Sequence, residues 1–212
     1  MLRQLEDKIR RHTETIVGRT ISAAWVSPDG LTLTSLVLTV GVVALLAQGA
    51  LFWAGLLFLF ASAFDMLDGA LARSRQQASP FGAFLDSTID RYAEMLVFLG
   101  LLLYYYYHHG MVNPLHMLLI FLASHGSLLT SYVRARAEAL SYDGRGGVLD
   151  RPGRVIVLAL GMLSGWLTAS LIALAVFSHI SALQRMLVVW QQSKQRQPDP
   201  QALRALQKKG KP

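Results

Sequence analysis

Four aspartates, Asp65, Asp68, Asp86 and Asp90, fall within one stretch running from Phe64 to Asp90, FDMLDGALARSRQQASPFGAFLDSTID. On a helix turning about 100° per residue, Asp65, Asp68, Gly69 and Ala72 share a face, and Arg73 stands one turn beyond Gly69. Gly82, Asp86 and Asp90 follow at intervals of four, which makes one stripe on a second helix. The Ser79-Pro80 step breaks the chain between them, so the two helices can pack antiparallel with their acidic faces together. Carboxylates so placed repel one another. Divalent cations among them remove the repulsion, and oxygen-only ligation favours a hard ion such as Mg²⁺ or Mn²⁺. Two such ions about 3.5–4 Å apart can hold both the attacking and the leaving oxygen of a phosphoryl displacement. Gly69, Ala72 and Gly82 lack bulk and leave a slot at the acidic face, with Arg73 as a cation beside a phosphate.

These aspartates lie in some of the most apolar sequence of the chain. Of 212 residues, 53% are hydrophobic and 16% charged, and the mean hydropathy is +0.38. A bilayer-spanning helix needs about 20 apolar residues. Leu31–Gln48, Leu51–Ala72, Ala83–Tyr107 and Leu115–Val133 each qualify, and Val155–Gln184 contains no Lys, Arg, Asp or Glu. An ionisable residue at mid-membrane costs roughly 2.5–3.5 kcal/mol on insertion scales, so the acidic motif must have a function. The first apolar run begins near residue 31 after a long polar lead, unlike a cleaved signal peptide. There is no cysteine, which excludes disulfides and thiolate metal sites.

Charge placement gives an expected topology. Basic residues crowd positions 1–19, the end of the second apolar run (Arg73, Arg75), residues 134–154 and the stretch from Arg185 to the C-terminus. The connections near 49–50, 108–114 and 161–166 have none. This is the positive-inside pattern with both termini cytoplasmic, so crossings must be even in number. Val155–Gln184 should therefore cross twice, turning near GMLSGW, for six transmembrane helices with a short fifth. The YYYYHH run at 104–109 suits the outer interface. Residues 1–25 read as an amphipathic helix on the cytoplasmic membrane surface, or a solvated one. Residues 26–190 read as the transmembrane catalytic domain, and 191–212 as a basic disordered tail. The net charge of +7 lies beside anionic headgroups, and no soluble basic domain exists to bind nucleic acid.

The spacing Asp65-x2-Asp68-Gly69-x2-Ala72-Arg73-x8-Gly82-x3-Asp86-x3-Asp90 resembles the signature of the CDP-alcohol phosphatidyltransferase family. SPDGLT at 27–32, FDMLDG at 64–69, GAFLDSTIDR at 82–91 and SYVRARAE at 131–138 look most like the family's bacterial phosphatidylinositol phosphate synthases. The resemblance implies an all-α membrane protein of six helices plus a surface helix, commonly a homodimer. It implies that Asp65, Asp68, Asp86 and Asp90 hold two metal ions, Asp65 and Asp86 bridging, with Asp90 also the general base. Asp29 to Thr32, Gly69, Ala72, Arg73, Ser79 and Gly82 would line a CDP-diacylglycerol site.

The implied acceptor is a phosphorylated polyol, inositol 1-phosphate first. Arginine offers a planar fork of donors suited to phosphate. Arg134, Arg136, Arg151 and Arg185 match the acceptor-phosphate residues of the inositol-phosphate enzymes, with Arg151 and Arg154 interchangeable in DRPGR. Arg134 and Arg136 point roughly 200° apart on an ideal helix. Glycerol 3-phosphate would use the same arginines. A cation transporter would explain intramembrane aspartates but neither Arg73 nor the glycines in register with them. The arginines could also be cations snorkelling to the inner interface.

Overall fold

The computed structural model describes residues 28–74, 79–108 and 113–196, with the backbone alone for 28, 29, 66–74 and 196. The expected surface helix at 1–25 lies outside these residues. The described chain is six helices and no strand: α1 Pro28–Ala47, α2 Leu51–Ser74, α3 Pro80–His108, α4 Pro114–Ala139, α5 Arg151–Ser164 and α6 Leu167–Arg196. The last of these continues into the segment expected as a tail.

The breaks between helices follow from sequence. Gly49 (φ 80°) turns the chain between α1 and α2. Asn113 accepts from the Leu115 amide and, with Pro114, starts α4. Asp150 accepts from the Gly153 amide at 2.9 Å and caps α5, with proline in the first turn. Gly165 (φ 78°) ends α5 in the left-handed conformation, inside the GMLSGW stretch where a turn is expected. At 14 residues α5 is short for a full crossing, as the sequence suggests.

Three helices are long and apolar enough to cross a membrane, over Gly30–Ala47, Pro114–Ala139 and Leu167–Gln195, and Leu51–Asp65 is a shorter apolar stretch. α3 has the length, but Asp86, Asp90, Arg91 and Glu94 occupy its first half. The surface is apolar: Val37, Trp53, Phe60, Phe84, Phe121 and Trp190 face outward. Thr32, Ser35, Asp65, Asp90, Ser127 and Arg154 are buried. Polar groups inside and aromatic rings outside reverse the order of a water-soluble protein and suit a lipid solvent. This is a membrane protein.

Helix α1 packs on α2 and α3, α4 on α6, and α5 on both α2 and α6, while α3 meets α4 along a shorter seam. Gly100 admits α1, since a Cβ there would lie 3.2 Å from the Val43 Cα. Gly126 admits α6, since a Cβ would lie 3.0 Å from Ser178 Cβ. Successive helices alternate in direction. Ser35, Asp65, Asp90, Arg151 and Arg185 therefore gather at one end of the bundle, while Ala47 and His108 meet at the other, 3.0 Å apart. Leu46, Leu101, Met162 and Leu171 are fully buried in the apolar core toward that second end.

Candidate active site

Asp65 and Asp90 are each 7% exposed, one in the second half of α2 and the other in the first half of α3. With Asp86, one turn before Asp90, they bring one carboxylate oxygen apiece within 4.8 Å of one another. Ser35 on α1 donates to the Thr32 carbonyl at 2.7 Å and lies 3.4 Å from Asp65 Oδ1, which ties α1 to the cluster. Three convergent carboxylates offer a donor set of oxygen alone, which fits a hard divalent cation. Such an ion would balance the negative charge that burial otherwise makes costly.

Arginines close the site from α5. Arg151 Nη2 pairs with Asp65 Oδ2 at 2.7 Å and also with Asp90 Oδ1. Arg154, 4% exposed, lies deeper, and its Nε donates to Glu94 Oε1 at 3.0 Å. A partly open cavity lies against Asp65 and Asp90. Ser35, Thr39, Glu94 and Ser127 form its polar wall, and Phe98 and Leu174 belong to its apolar lining. Its mixed polar and apolar lining suits a small polar molecule entering between the helices.

The other residues picked out from sequence fall as follows. Thr32 is buried on the first turns of α1. Ser79 Oγ accepts from the Gly82 amide at 2.9 Å and so caps α3. Asp68, Gly69, Ala72 and Arg73 lie on α2, and Asp29 on α1, with their side chains outside the description. Arg134 is exposed and paired with Glu138 at 2.9 Å, and Arg136 is exposed on the same last turns of α4. Arg185 is buried, and it donates through Nε to the Gly146 carbonyl at 2.7 Å and through Nη1 to the Thr130 carbonyl at 2.8 Å. It thereby holds the 140–150 connection, whose Val148 and Leu149 amides donate to Gln184 and Ser181 of α6. Of the five arginines, Arg151 and Arg154 line the cavity.

Sequence reasoning missed Glu94, Ser127 and Ser131. Ser131 Oγ receives a hydrogen bond from Arg91 and lies 3.4 Å from Arg154 Nη2, and Ser127 donates to Glu94. A signal for Glu94 existed, since it extends the stripe Gly82-Asp86-Asp90 by four more residues.

Known proteins resemble this chain in sequence and in fold. A family model described as CDP-alcohol phosphatidyltransferase matches residues 25–191. The archaetidylinositol phosphate synthase of Methanothermobacter thermautotrophicus is 35% identical over 200 residues, covering 92% of this chain and 96% of its own. The phosphatidylinositol phosphate synthase of Mycobacteroides abscessus is 39% identical over 171 residues, 77% of each chain. The crystal structure of the Mycobacterium tuberculosis phosphatidylinositol phosphate synthase with CDP-DAG bound superposes with a TM-score of 0.74 at 34% identity, covering 85% of this chain and 94% of that one. A second structure of that enzyme, in complex with manganese and citrate, gives a TM-score of 0.74 over 84% and 88% of the two chains. The matched region contains every residue of the carboxylate cluster and every arginine of the cavity, and the chain belongs to the CDP-alcohol phosphatidyltransferase family.

Proposed function

We propose that this enzyme transfers the phosphatidyl group of CDP-diacylglycerol to a hydroxyl of inositol 1-phosphate, giving phosphatidylinositol phosphate and CMP. The observation that carries the reading is the convergence of Asp65, Asp86 and Asp90 beside a cavity lined by Arg151 and Arg154. Its support comes from relatives whose names specify inositol phosphate lipids and from a relative crystallised with CDP-DAG. Asp65, Asp68, Asp86 and Asp90 would hold two ions, Mg²⁺ or Mn²⁺, which when bound neutralise charge on the diphosphate. Asp90 accepts the proton of the acceptor hydroxyl. The hydroxyl oxygen bonds to the β-phosphorus as the bond to the CMP oxygen breaks. A carboxylate is a weak base for an alcohol, so close placement of the two substrates supplies much of the acceleration.

The CDP-lipid site comprises Asp29, Thr32, Gly69, Ala72, Arg73, Ser79 and Gly82, where the ends of α2 and α3 open both to water and to lipid. Arg151 grips the acceptor phosphate at the mouth of the cavity. Arg134, Arg136 and Arg185, with Arg154 deeper, make that end of the bundle basic and attract the anion. In the membrane, α1 to α6 cross six times in alternation. Both termini and the site are cytoplasmic. The working unit is a homodimer.

A direct test is CMP release from CDP-diacylglycerol with Mn²⁺ and each acceptor in turn. Inositol 1-phosphate should support turnover and free inositol should not, because it leaves Arg151 without a phosphate. Equal use of free inositol or serine would contradict the acceptor assignment. Metal-independent CMP release would contradict the site. A second expectation separates base from ligand. Asp90→Asn should stop transfer while CDP-diacylglycerol affinity stays within about threefold, since Asp65 and Asp86 remain in place. Loss of nucleotide binding in that variant would make Asp90 a binding residue, with the base elsewhere.

A further inference from the structure

Glu94 lies one turn beyond Asp90 on α3 and takes no part in the proposed chemistry. Its Oε1 accepts from Arg154 Nε at 3.0 Å and from the Ser127 hydroxyl. Its Oε2 is buried without a hydrogen-bond partner and faces Arg91 Nη1 at 3.8 Å. Arg91 in turn reaches Asp90 Oδ2 at 3.4 Å. Both guanidinium groups meet at Ser131 Oγ. A chain of polar groups thus runs from Arg154 on α5 through Glu94 and Arg91 to Asp90, with Ser127 and Ser131 of α4 alongside.

Stability alone does not account for this arrangement. A buried ion pair is often no more stabilising than an apolar pair of the same volume. Here two arginines and a glutamate are grouped inside the bundle, Arg154 fully buried and Arg91 partly so, and the network ends on the proposed base. Asp90 has one oxygen toward Arg91 and the other toward Asp65 and Arg151. A rotation of its carboxylate would move the proton acceptor off the acceptor hydroxyl, and displacements of about 1 Å can cost a hundredfold in rate. We infer that Glu94 is a positioning residue for phosphatidyl transfer: it fixes Arg91 and Arg154 and, through Arg91, the carboxylate of Asp90. The inference rests on the proposed transfer with Asp90 as base.

The test uses the full chain in detergent micelles, with wild-type turnover as reference. Glu94→Gln should lower kcat at saturating acceptor at least tenfold, with the CDP-diacylglycerol KM and Mn²⁺ affinity within about twofold of wild type. Glu94→Asp keeps the charge and should regain part of the rate. Glu94→Gln/Arg154→Gln removes both charges, so thermal stability should return toward wild type while kcat stays low. That split separates positioning from packing, and it stands even if the single glutamine variant does not fold. Recovery of turnover together with stability in the double variant would overturn the proposal. So would a loss confined to the acceptor KM, which would make Arg154 a phosphate ligand, or a parallel loss of Mn²⁺ binding. A wild type active only with another acceptor would contradict the acceptor assignment alone, and the variants would be compared with that acceptor.

Discussion

Asp86→Asn is expected to abolish turnover and metal-dependent stabilisation together. Asp86 lies one turn from Asp90, and its carboxylate is one of three within 4.8 Å. A neutral amide is a poor ligand for a hard dication. Loss of a ligand from a cluster of three described carboxylates should lower kcat by at least two orders of magnitude, about 3 kcal/mol in activation free energy. The rise in melting temperature that Mn²⁺ gives the wild type should disappear from the variant, because an ion stabilises a protein only as far as it binds the folded state. Asp65→Asn should behave alike, with a further effect through Ser35, which lies 3.4 Å from Asp65 Oδ1. Wild-type activity with a lost Mn²⁺ response would place catalysis outside the carboxylate cluster.

Arg151→Gln should move metal binding and acceptor use in opposite directions. The guanidinium lies on Asp65 and Asp90, so it competes with a cation for the same oxygens. With glutamine in its place, Asp65 and Asp90 lose their counter-charge. The variant should therefore bind Mn²⁺ more tightly, by about tenfold, or about 1.4 kcal/mol, and show a larger Mn²⁺-induced rise in melting temperature. The acceptor loses a charged hydrogen bond worth roughly 1.5–3 kcal/mol. Its kcat/KM should fall by between about tenfold and about a hundredfold, while the CDP-diacylglycerol KM barely changes. Arg151→Lys should recover part of the acceptor loss, since charge returns without the planar fork. Isothermal titration with Mn²⁺ and initial rates against inositol 1-phosphate separate the two effects. Weaker Mn²⁺ binding in Arg151→Gln would mean that the guanidinium supports the ions rather than competing with them.

The carboxylate cluster was legible in the sequence because its geometry is local. Residues four apart share a helix face whatever the helix packs against, so Asp86 and Asp90 had to be neighbours. Asp65 needed one more step, a second helix brought alongside, and among the described residues α1, packed on both α2 and α3, provides it in place of the direct α2–α3 seam expected from sequence. The break inside Val155–Gln184 was also legible, since Gly165 can take φ 78° without strain. The arginines were not. A long side chain reaches in many directions from one helix position, and what it meets is set by elements distant in sequence. Arg185 was expected at a phosphate. Its donors meet the carbonyls of Gly146 and Thr130, because the 140–150 connection folds back over α6 through Ser141, Gly146 and Gly147, all at positive φ. Arg154 was grouped with Arg151, yet three residues turn it inward to Glu94, a partner 60 residues away. The sixfold crossing was inferred from charge placement, and composition alone identifies three of the six helices as spans. The other three differ for separate reasons: α2 and α3 carry charges of the site in their own helices, and α5 has only 14 residues.

The most direct measurement offers purified enzyme a mixture of inositol 1-phosphate, free inositol, glycerol 3-phosphate and serine at equal concentration. CDP-diacylglycerol labelled in its acyl chains and Mn²⁺ complete the mixture, and the labelled lipids are identified by mass spectrometry. Phosphatidylinositol phosphate is expected as the dominant product, formed with stoichiometric CMP and absent when EDTA removes the metal. Labelled phosphatidylglycerophosphate, phosphatidylserine or phosphatidylinositol as the main product would contradict that expectation.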